Sequence, residues 1–150
     1  MNNIKKASIK DLNELVELFD QYRIFYHKES DLKGAFRFLK ERIENNESTI
    51  FLALDELGNA VGFTQLYPYF SSTTMQRLLL LNDLFVHPKY RGKGFSKELI
   101  EAAKLYAIEI KAVGLFLETD KTNIIGNTLY PSIGFELDIQ HNYYFWSVNK

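Results

Sequence analysis

Cysteine is absent from the 150 residues, which excludes disulfides, thiolate metal sites and a cysteine nucleophile, and fits a reducing cytoplasm. Histidine is scarce: His27, His87 and His141 are too scattered to form a metal constellation, so no metal is expected. Charge of one sign is also missing. The 18 Lys and Arg nearly balance the 19 Asp and Glu, and a chain this neutral lacks the broad basic face that duplex binding uses, so nucleic acid is not an expected partner. No apolar run approaches the roughly 20 residues of a membrane span, and Met1-Asn2-Asn3-Ile4-Lys5-Lys6 has no apolar signal core. A soluble, cytoplasmic protein with no membrane partner is the expectation. There is no internal repeat, low-complexity tract or linker, and the length suits one domain, 1–150, with a core that folds without staples.

The stretch around which the chain is organised is residues 78–107. It opens with the apolar run Leu78 to Leu81, then Leu84, Phe85 and Val86, turns at His87-Pro88-Lys89-Tyr90, and enters a helix through Arg91-Gly92-Lys93-Gly94-Phe95-Ser96. In that helix Leu99, Ile100, Ala103, Tyr106, Ala107 and Ile110 recur at three- and four-residue steps, and Glu98, Glu101, Lys104 and Glu109 fall largely on the other face. Two glycines at the helix start allow close approach of a ligand to the backbone. The unpaired N–H groups of the first turn and the positive end of the helix dipole favour an anion there. Lys89, Arg91, Lys93 and Lys97 make the segment locally cationic, with no Asp or Glu among them, so a ligand with several phosphate charges fits. Glycine pairs before helices and basic surface runs also occur as plain turn and solvent chemistry.

The loop is neither a Walker P-loop, which needs GxxxxGK[ST], nor a dinucleotide fingerprint, which needs a third glycine where Lys97 stands. Arg91-Gly92-Lys93-Gly94-Phe95-Ser96 instead resembles the [QR]xxGx[GA] acyl-CoA loop of the GNAT acetyltransferase superfamily, with Ser96 in place of the usual small apolar residue. Val86-His87-Pro88 stands where that family ends its fourth strand. Leu115-Phe116-Leu117-Glu118-Thr119, Asn123, Leu129-Tyr130 and Gly134-Phe135 resemble the family's fifth strand, fourth helix and sixth strand, in the same order.

Along the chain, Ile4 to Ile9 predicts a strand, and Ser8 with Asp11 a capping box before a helix marked by Leu12, Leu15, Val16, Phe19, Tyr22 and Tyr26. A second helix is predicted over Leu32 to Asn45. Strands follow at Thr49 to Leu54, Ala60 to Tyr69 and Leu78 to Val86, the first two joined by a turn at Gly58-Asn59. Gly114 to Thr119 reads as a buried strand, Asn123 to Ile133 as a short helix, and Phe135 to Val148 as two more strands. The order β-α-α-β-β-β-α-β-α-β-β predicts an α+β fold, a mixed, mostly antiparallel sheet with helices on both faces. The resemblance implies the same order, with strands four and five splayed to admit the pantetheine arm.

The resemblance also implies chemistry: transfer of an acetyl group from acetyl-CoA (coenzyme A) to a primary amine by direct attack in a ternary complex. An alkylamine has a pKa near 10, so only about one molecule in a thousand is neutral at pH 7 and a proton acceptor is required. Tyr130 matches the motif tyrosine that would protonate the departing thiolate; a core tyrosine on a short helix is the alternative. Asn123 would bond the pantetheine arm, or cap the helix, or both. Leu84, Phe85 and Val86 would line the pantetheine, and Arg91, Gly92, Lys93, Gly94, Phe95 and Ser96 would hold the pyrophosphate with Lys97 one turn in. Leu81 to Val86 also looks like the matching strand of spermidine/spermine acetyltransferases, yet Asn82 stands where those enzymes have a catalytic glutamate. An amide cannot take a proton, so Asp83, Glu118 or a water chain are the candidate bases, with Asp83 preferred; strict alternation would put Asn82 and Asp83 on opposite faces unless a bulge intervenes. Asp83 read instead as a strand-end carboxylate satisfying backbone groups is the alternative.

The segment Tyr67 to Arg77 contains no carboxylate, which argues against a polyamine pocket. With Tyr22, Arg23 and Tyr26 it resembles the family's acceptor wall, and tyrosines with an arginine suit a small amine that also carries an anionic group, such as a free amino acid. Tyr22 and Tyr26 also fit a buried helix stripe. Polyamine or peptide-lysine acetylation and a non-catalytic acyl-CoA-binding module are the other readings. Family members are often homodimers, and Tyr143-Tyr144-Phe145-Trp146 reads equally as interface or core. The motif assignment has a direct test. Tyr130→Phe should keep acetyl-CoA affinity and lower turnover by at least about tenfold, and unchanged turnover would remove Tyr130 from the chemistry.

Overall fold

The computed structural model describes residues 3–149. The chain forms two compact units, one up to Glu118 and one from Thr119 onward. The first unit is a five-stranded sheet in the order β1-β2-β3-β4-β5: β1 (Asn3–Lys6), β2 (Thr49–Leu54), β3 (Ala60–Ser71), β4 (Gln76–Val86) and β5 (Leu115–Phe116). The first three pairings are antiparallel and the last is parallel. Helices α1 (Leu12–Phe25) and α2 (Leu32–Glu44) cover one face: Leu12, Leu15, Val16, Phe19, Ala35 and Leu39 close over Ile50, Leu52, Phe63 and Phe85. Helix α3 (Phe95–Glu109) covers the other, with Phe95 and Leu99 against Ala53, Val61 and Val86. The expected α+β sandwich is present.

Local chemistry sets these boundaries. The predicted capping box forms: the Ser8 hydroxyl accepts from Lys10 N, and Asp11 Oδ2 accepts from Ser8 N at 2.8 Å, leading through a 3-10 turn into α1. The first strand is shorter than predicted because Ser8 and Ile9 are drawn into that cap. Between β2 and β3, Asp55 Oδ1 accepts from the Leu57 and Asn59 backbones around Gly58, whose φ of 85° suits glycine.

The pairing of β3 with β4 is out of step at one point. Gln65 lies opposite Asp83 and Leu66 opposite Leu81, so Asn82 is an extra residue, a β-bulge. The pairing of β4 with β5 is confined to Leu79 with Leu115 and Leu80 with Phe116 and ends just before that bulge. The strand predicted over Gly114 to Thr119 is therefore corrected to two half-buried residues, because β5 is an edge whose partner bends away. The Tyr69 ring packs edge-on to Phe116 at 5.1 Å where the strands still touch.

The second unit carries one regular element among the described residues, α4 (Ile124–Ser132). Asn123 caps it, Oδ1 accepting from Gly126 N at 3.0 Å while Nδ2 donates to Thr119 Oγ1 at 2.9 Å. A Cβ at position 126 would lie 2.5 Å from the capping amide, so a larger residue there would displace the cap. The helix ends in a paired closure: Phe135 N donates to Tyr130 O and Gly134 N to Pro131 O, Gly134 has a φ of 95°, and the Tyr130 and Phe135 rings pack edge-on at 5.7 Å. The two strands predicted over Phe135 to Val148 are not formed. A strand needs a ladder partner, and here the Asp138 carboxylate takes the Gln140 and His141 backbone N–H groups and the His141 ring, closing a local turn in mid-segment. Tyr143, Tyr144, Phe145 and Trp146 are exposed.

The core assignment is testable. Leu39→Ala, at a fully buried position, should cost about 2–5 kcal/mol in urea unfolding, whereas Leu57→Ala, at an exposed turn, should stay within about 0.5 kcal/mol.

Candidate active site

The loop between β4 and α3 is built as an anion cradle. Gly92 and Gly94 have φ of 75° and 91°, a left-handed geometry that glycine alone adopts without strain. A Cβ at either would meet nothing within 4 Å, so the space above the loop is open. Gly94 is the N-cap of α3 and offers no side-chain cap, which leaves the first-turn N–H groups to face a ligand. Phe95 turns its side chain into the core and contributes only backbone, while Lys89, Lys93 and Lys97 are exposed around the loop. Tyr90 fixes the approach to the loop, its hydroxyl donating to Asp55 Oδ2 at 3.1 Å and its ring packing on Phe95.

Arg91 does something else. Its Nε donates to Val86 O at 2.9 Å, and its guanidinium lies over the rings of Phe25 and Phe85 at 5.1 and 5.7 Å. The arginine of the loop motif is thus a strut joining the end of β4, the loop and the end of α1. Beyond Leu80, β4 has no β5 partner, so the stretch from Leu81 to Val86, including Leu84 and Phe85, borders a gap in the sheet. An open strand edge beside an uncapped, lysine-ringed helix start fits the amides and pyrophosphate of coenzyme A, and these residues would hold it.

The bulge decides what faces the other side of that strand. It brings Asp83 onto the α1 face with Phe63, Gln65 and Phe85, and sends Val86 to the α3 face. Asn82 stays beside Asp83 instead of across the sheet from it, Nδ2 donating to Asp83 Oδ1 at 3.1 Å. Gln65 Nε2 donates to Asp83 Oδ2 at 2.6 Å, and the Tyr22 hydroxyl also bonds the carboxylate. Asp83 is 3% exposed. Burial pushes its pKa above the usual carboxylate range, and the hydrogen bonds from Gln65, Tyr22 and Asn82 offset only part of the rise. The Tyr22 and Tyr67 phenols are held neutral, by burial first and by the Asp83 charge second. A buried carboxylate whose pKa is raised, among apolar and phenolic neighbours, has the character of a general base.

The α1 residues predicted to wall the acceptor divide into two. Tyr22 and Tyr26 pack edge-on at 5.0 Å, Tyr22 also against Phe63 and Phe85, so this tyrosine pair stands beside Asp83. Arg23, next on the helix, points Nη1 to Glu29 O at 3.1 Å and lies 4.0 Å from Asp20, bracing the α1–α2 loop. In the second unit Asn123 is the N-cap of α4, and Tyr130 is half-buried in its last turn. A groove of about 720 Å³ lined by Val16, Glu17, Leu32, Phe36 and Arg37 contains none of these residues.

Sequence reasoning did not pick out Gln65, a hydrogen-bond partner of Asp83, or the packing of Phe25 on Arg91. The available signal for the first was two adjacent polar residues, Thr64 and Gln65, in the middle of an otherwise apolar central strand, where each must find a partner.

Comparison with known proteins bears on the fold and the family. The profile of the Acetyltransferase (GNAT) family matches residues 12–135. An uncharacterized N-acetyltransferase, YhfO, of Bacillus subtilis strain 168 is 47% identical over 146 residues, 97% of each chain. A crystal structure of a probable acetyltransferase superposes with a TM-score of 0.93 at 36% identity, over 99% of both chains. The D-amino-acid N-acetyltransferase HPA3 of Saccharomyces cerevisiae is 31% identical over 88 residues, 58% of this chain and 55% of that one.

The cradle carries its own test. Gly94→Ala should weaken acetyl-CoA binding by about tenfold or more in calorimetry while lowering Tm by only a few degrees, roughly 2–4 °C per kcal/mol of backbone strain. Unchanged affinity would take the loop out of cofactor binding.

Proposed function

The chain belongs to the GNAT acetyltransferase family, and on that premise we propose that it moves the acetyl group of acetyl-CoA to the primary amine of a small metabolite, a free amino acid or related amine. The observation that carries the reading is the Asp83 carboxylate, buried on a bulged strand among tyrosines. Bound acetyl-CoA supplies the activated thioester; the chain's residues bind, orient and handle protons. Asp83 accepts a proton from the acceptor amine, which frees its lone pair for attack on the thioester carbonyl. Tyr130, assigned by its place in the motif, would give its proton to the departing sulfur and regain one as the newly acylated nitrogen loses its second proton. The family profile runs from residue 12 to 135, across both compact units, which supports treating the chain as one domain.

The acceptor class rests on the tyrosine pair and on Arg23. Aromatic faces at Tyr22 and Tyr26 suit an amine-bearing group, and polyamine acceptors would call for more carboxylates than the one at Asp83. The Arg23 contacts use Nη1, which leaves Nη2 and Nε for a substrate carboxylate. The partial similarity to a D-amino-acid N-acetyltransferase points the same way.

A thiol-release assay with acetyl-CoA against free amino acids, polyamines and lysine peptides tests the class. Preference for amino acids, lost in Arg23→Ala through a raised KM, supports it; preference for peptides or polyamines overturns it, and silence with intact acetyl-CoA binding leaves a non-catalytic module. The base is tested separately. Asp83 works only as the carboxylate, so activity should fall as pH drops through its raised pKa and level off above it. Asp83→Asn should lower kcat/KM by about 10²–10⁴-fold and abolish that acidic limb.

A further inference from the structure

Gln65 is fully buried on β3, and its side-chain amide is satisfied at one end only. Nε2 donates to Asp83 Oδ2 at 2.6 Å, whereas Oε1 is buried with no hydrogen-bond partner among the described residues. An orphaned carbonyl in a core is costly, and apolar residues fill the neighbouring positions of this face, Phe63 and Phe85, so packing alone does not call for an amide.

We infer that Gln65 is a positioning residue that serves both protonation states of Asp83: its amide donates to the carboxylate and, after a half-turn of the terminal torsion, accepts from the carboxylic acid. The inference rests on the reading of Asp83 as the base. In the resting state the Nε2–H group holds Oδ2 and favours the anion. When Asp83 has taken the amine's proton, the same amide presents Oε1 to the new O–H, so the orphaned carbonyl finds its partner in the acid state. The terminal amide torsion is soft and two-fold, and both ends of the amide occupy nearly the same volume. Other groups also face the carboxylate. From α1, Tyr22 bonds it, with Tyr26 behind; from β3, the neutral Tyr67 phenol stands near; from β4 itself, the Asn82 amide reaches Oδ1 from an exposed position. Arg42 acts on Tyr67, and Arg91 is committed to Val86 and the two phenylalanines.

The experiment is a carboxyl-carbon NMR titration of Asp83 in the full chain, run beside the pH profile of kcat/KM, for the wild type, Gln65→Met and Gln65→Glu. Gln65→Met keeps length and removes the donor. Because the charge-assisted bond to the anion is stronger than the neutral bond accepted from the acid, the Asp83 midpoint should rise by about one pH unit, and the acidic limb of kcat/KM should move with it. Gln65→Glu places two carboxyl groups together, and the pair should share one proton with a midpoint higher still. In the wild type the Gln65 side-chain amide resonances should shift at the Asp83 midpoint. Thr64→Val is the control: Thr64 is equally buried but its hydroxyl donates to Asp83 O of the backbone, so it should lower Tm without moving the midpoint. An Asp83 midpoint unchanged in both Gln65 variants, or moved equally by Thr64→Val, overturns the inference. A midpoint that moves while the activity limb stays fixed leaves the Gln65–Asp83 coupling standing and refutes Asp83 as the base. If Gln65→Met does not fold, the near-isosteric Gln65→Glu and the wild-type amide shifts still decide.

Discussion

One extra residue in β4 governs the arrangement. Without the bulge at Asn82, strict alternation would point Asp83 to the α3 face, into the packing of Phe95 and Leu99, and Phe85 would leave the cluster it shares with Phe63 and Phe19. With it, both faces keep their apolar residues and a single carboxylate enters the α1 face. The same bulge coincides with the end of the β4–β5 ladder. One irregularity therefore places an acid and sits at the edge of the gap beside it. Burying the acid is unfavourable in itself, and the neighbouring amides and phenol limit that cost by hydrogen bonding.

The cationic loop separates two tasks that a charge count merges. Arg91, with its planar guanidinium, is fixed by a backbone carbonyl and two rings, while the lysines remain at the surface as charges around open backbone N–H groups. On the proposed reading, recognition of phosphate would fall mainly on left-handed glycines and an uncapped helix start, with the arginine keeping the frame in register.

What could be read beforehand follows from how local each signal is. The Ser8–Asp11 box, the β2–β3 turn and the Gly92–Gly94 loop are short-range devices, and each forms where the residues indicate. The family motif Leu129-Tyr130 with Gly134-Phe135 has a local cause too, since that spacing closes a helix end with a left-handed glycine and a ring contact. The bulge at Asn82 was foreseen only as a condition, because it exists in the pairing of two strands and neither strand reveals it alone. Arg23 illustrates the same limit: its place beside the tyrosines can be read from the sequence, but the bond from its Nη1 to Glu29 O depends on the path of the α1–α2 loop. The segment from Phe135 to Val148 has strand-forming aromatics, yet pairing is a property of two segments, and Asp138 offers its backbone a nearer partner.

The strut at Arg91 has a mechanical meaning beyond holding the loop. Its guanidinium touches the carbonyl that ends β4 and the ring that nearly ends α1, while its own backbone leads directly into the glycines. The loop cannot shift without breaking the first contact or unstacking the second. Tyr22 lies in the last turn of α1, which Phe25 ends, and Tyr26 follows as the C-cap. Through that helix end the position of the loop is tied to the position of Tyr22.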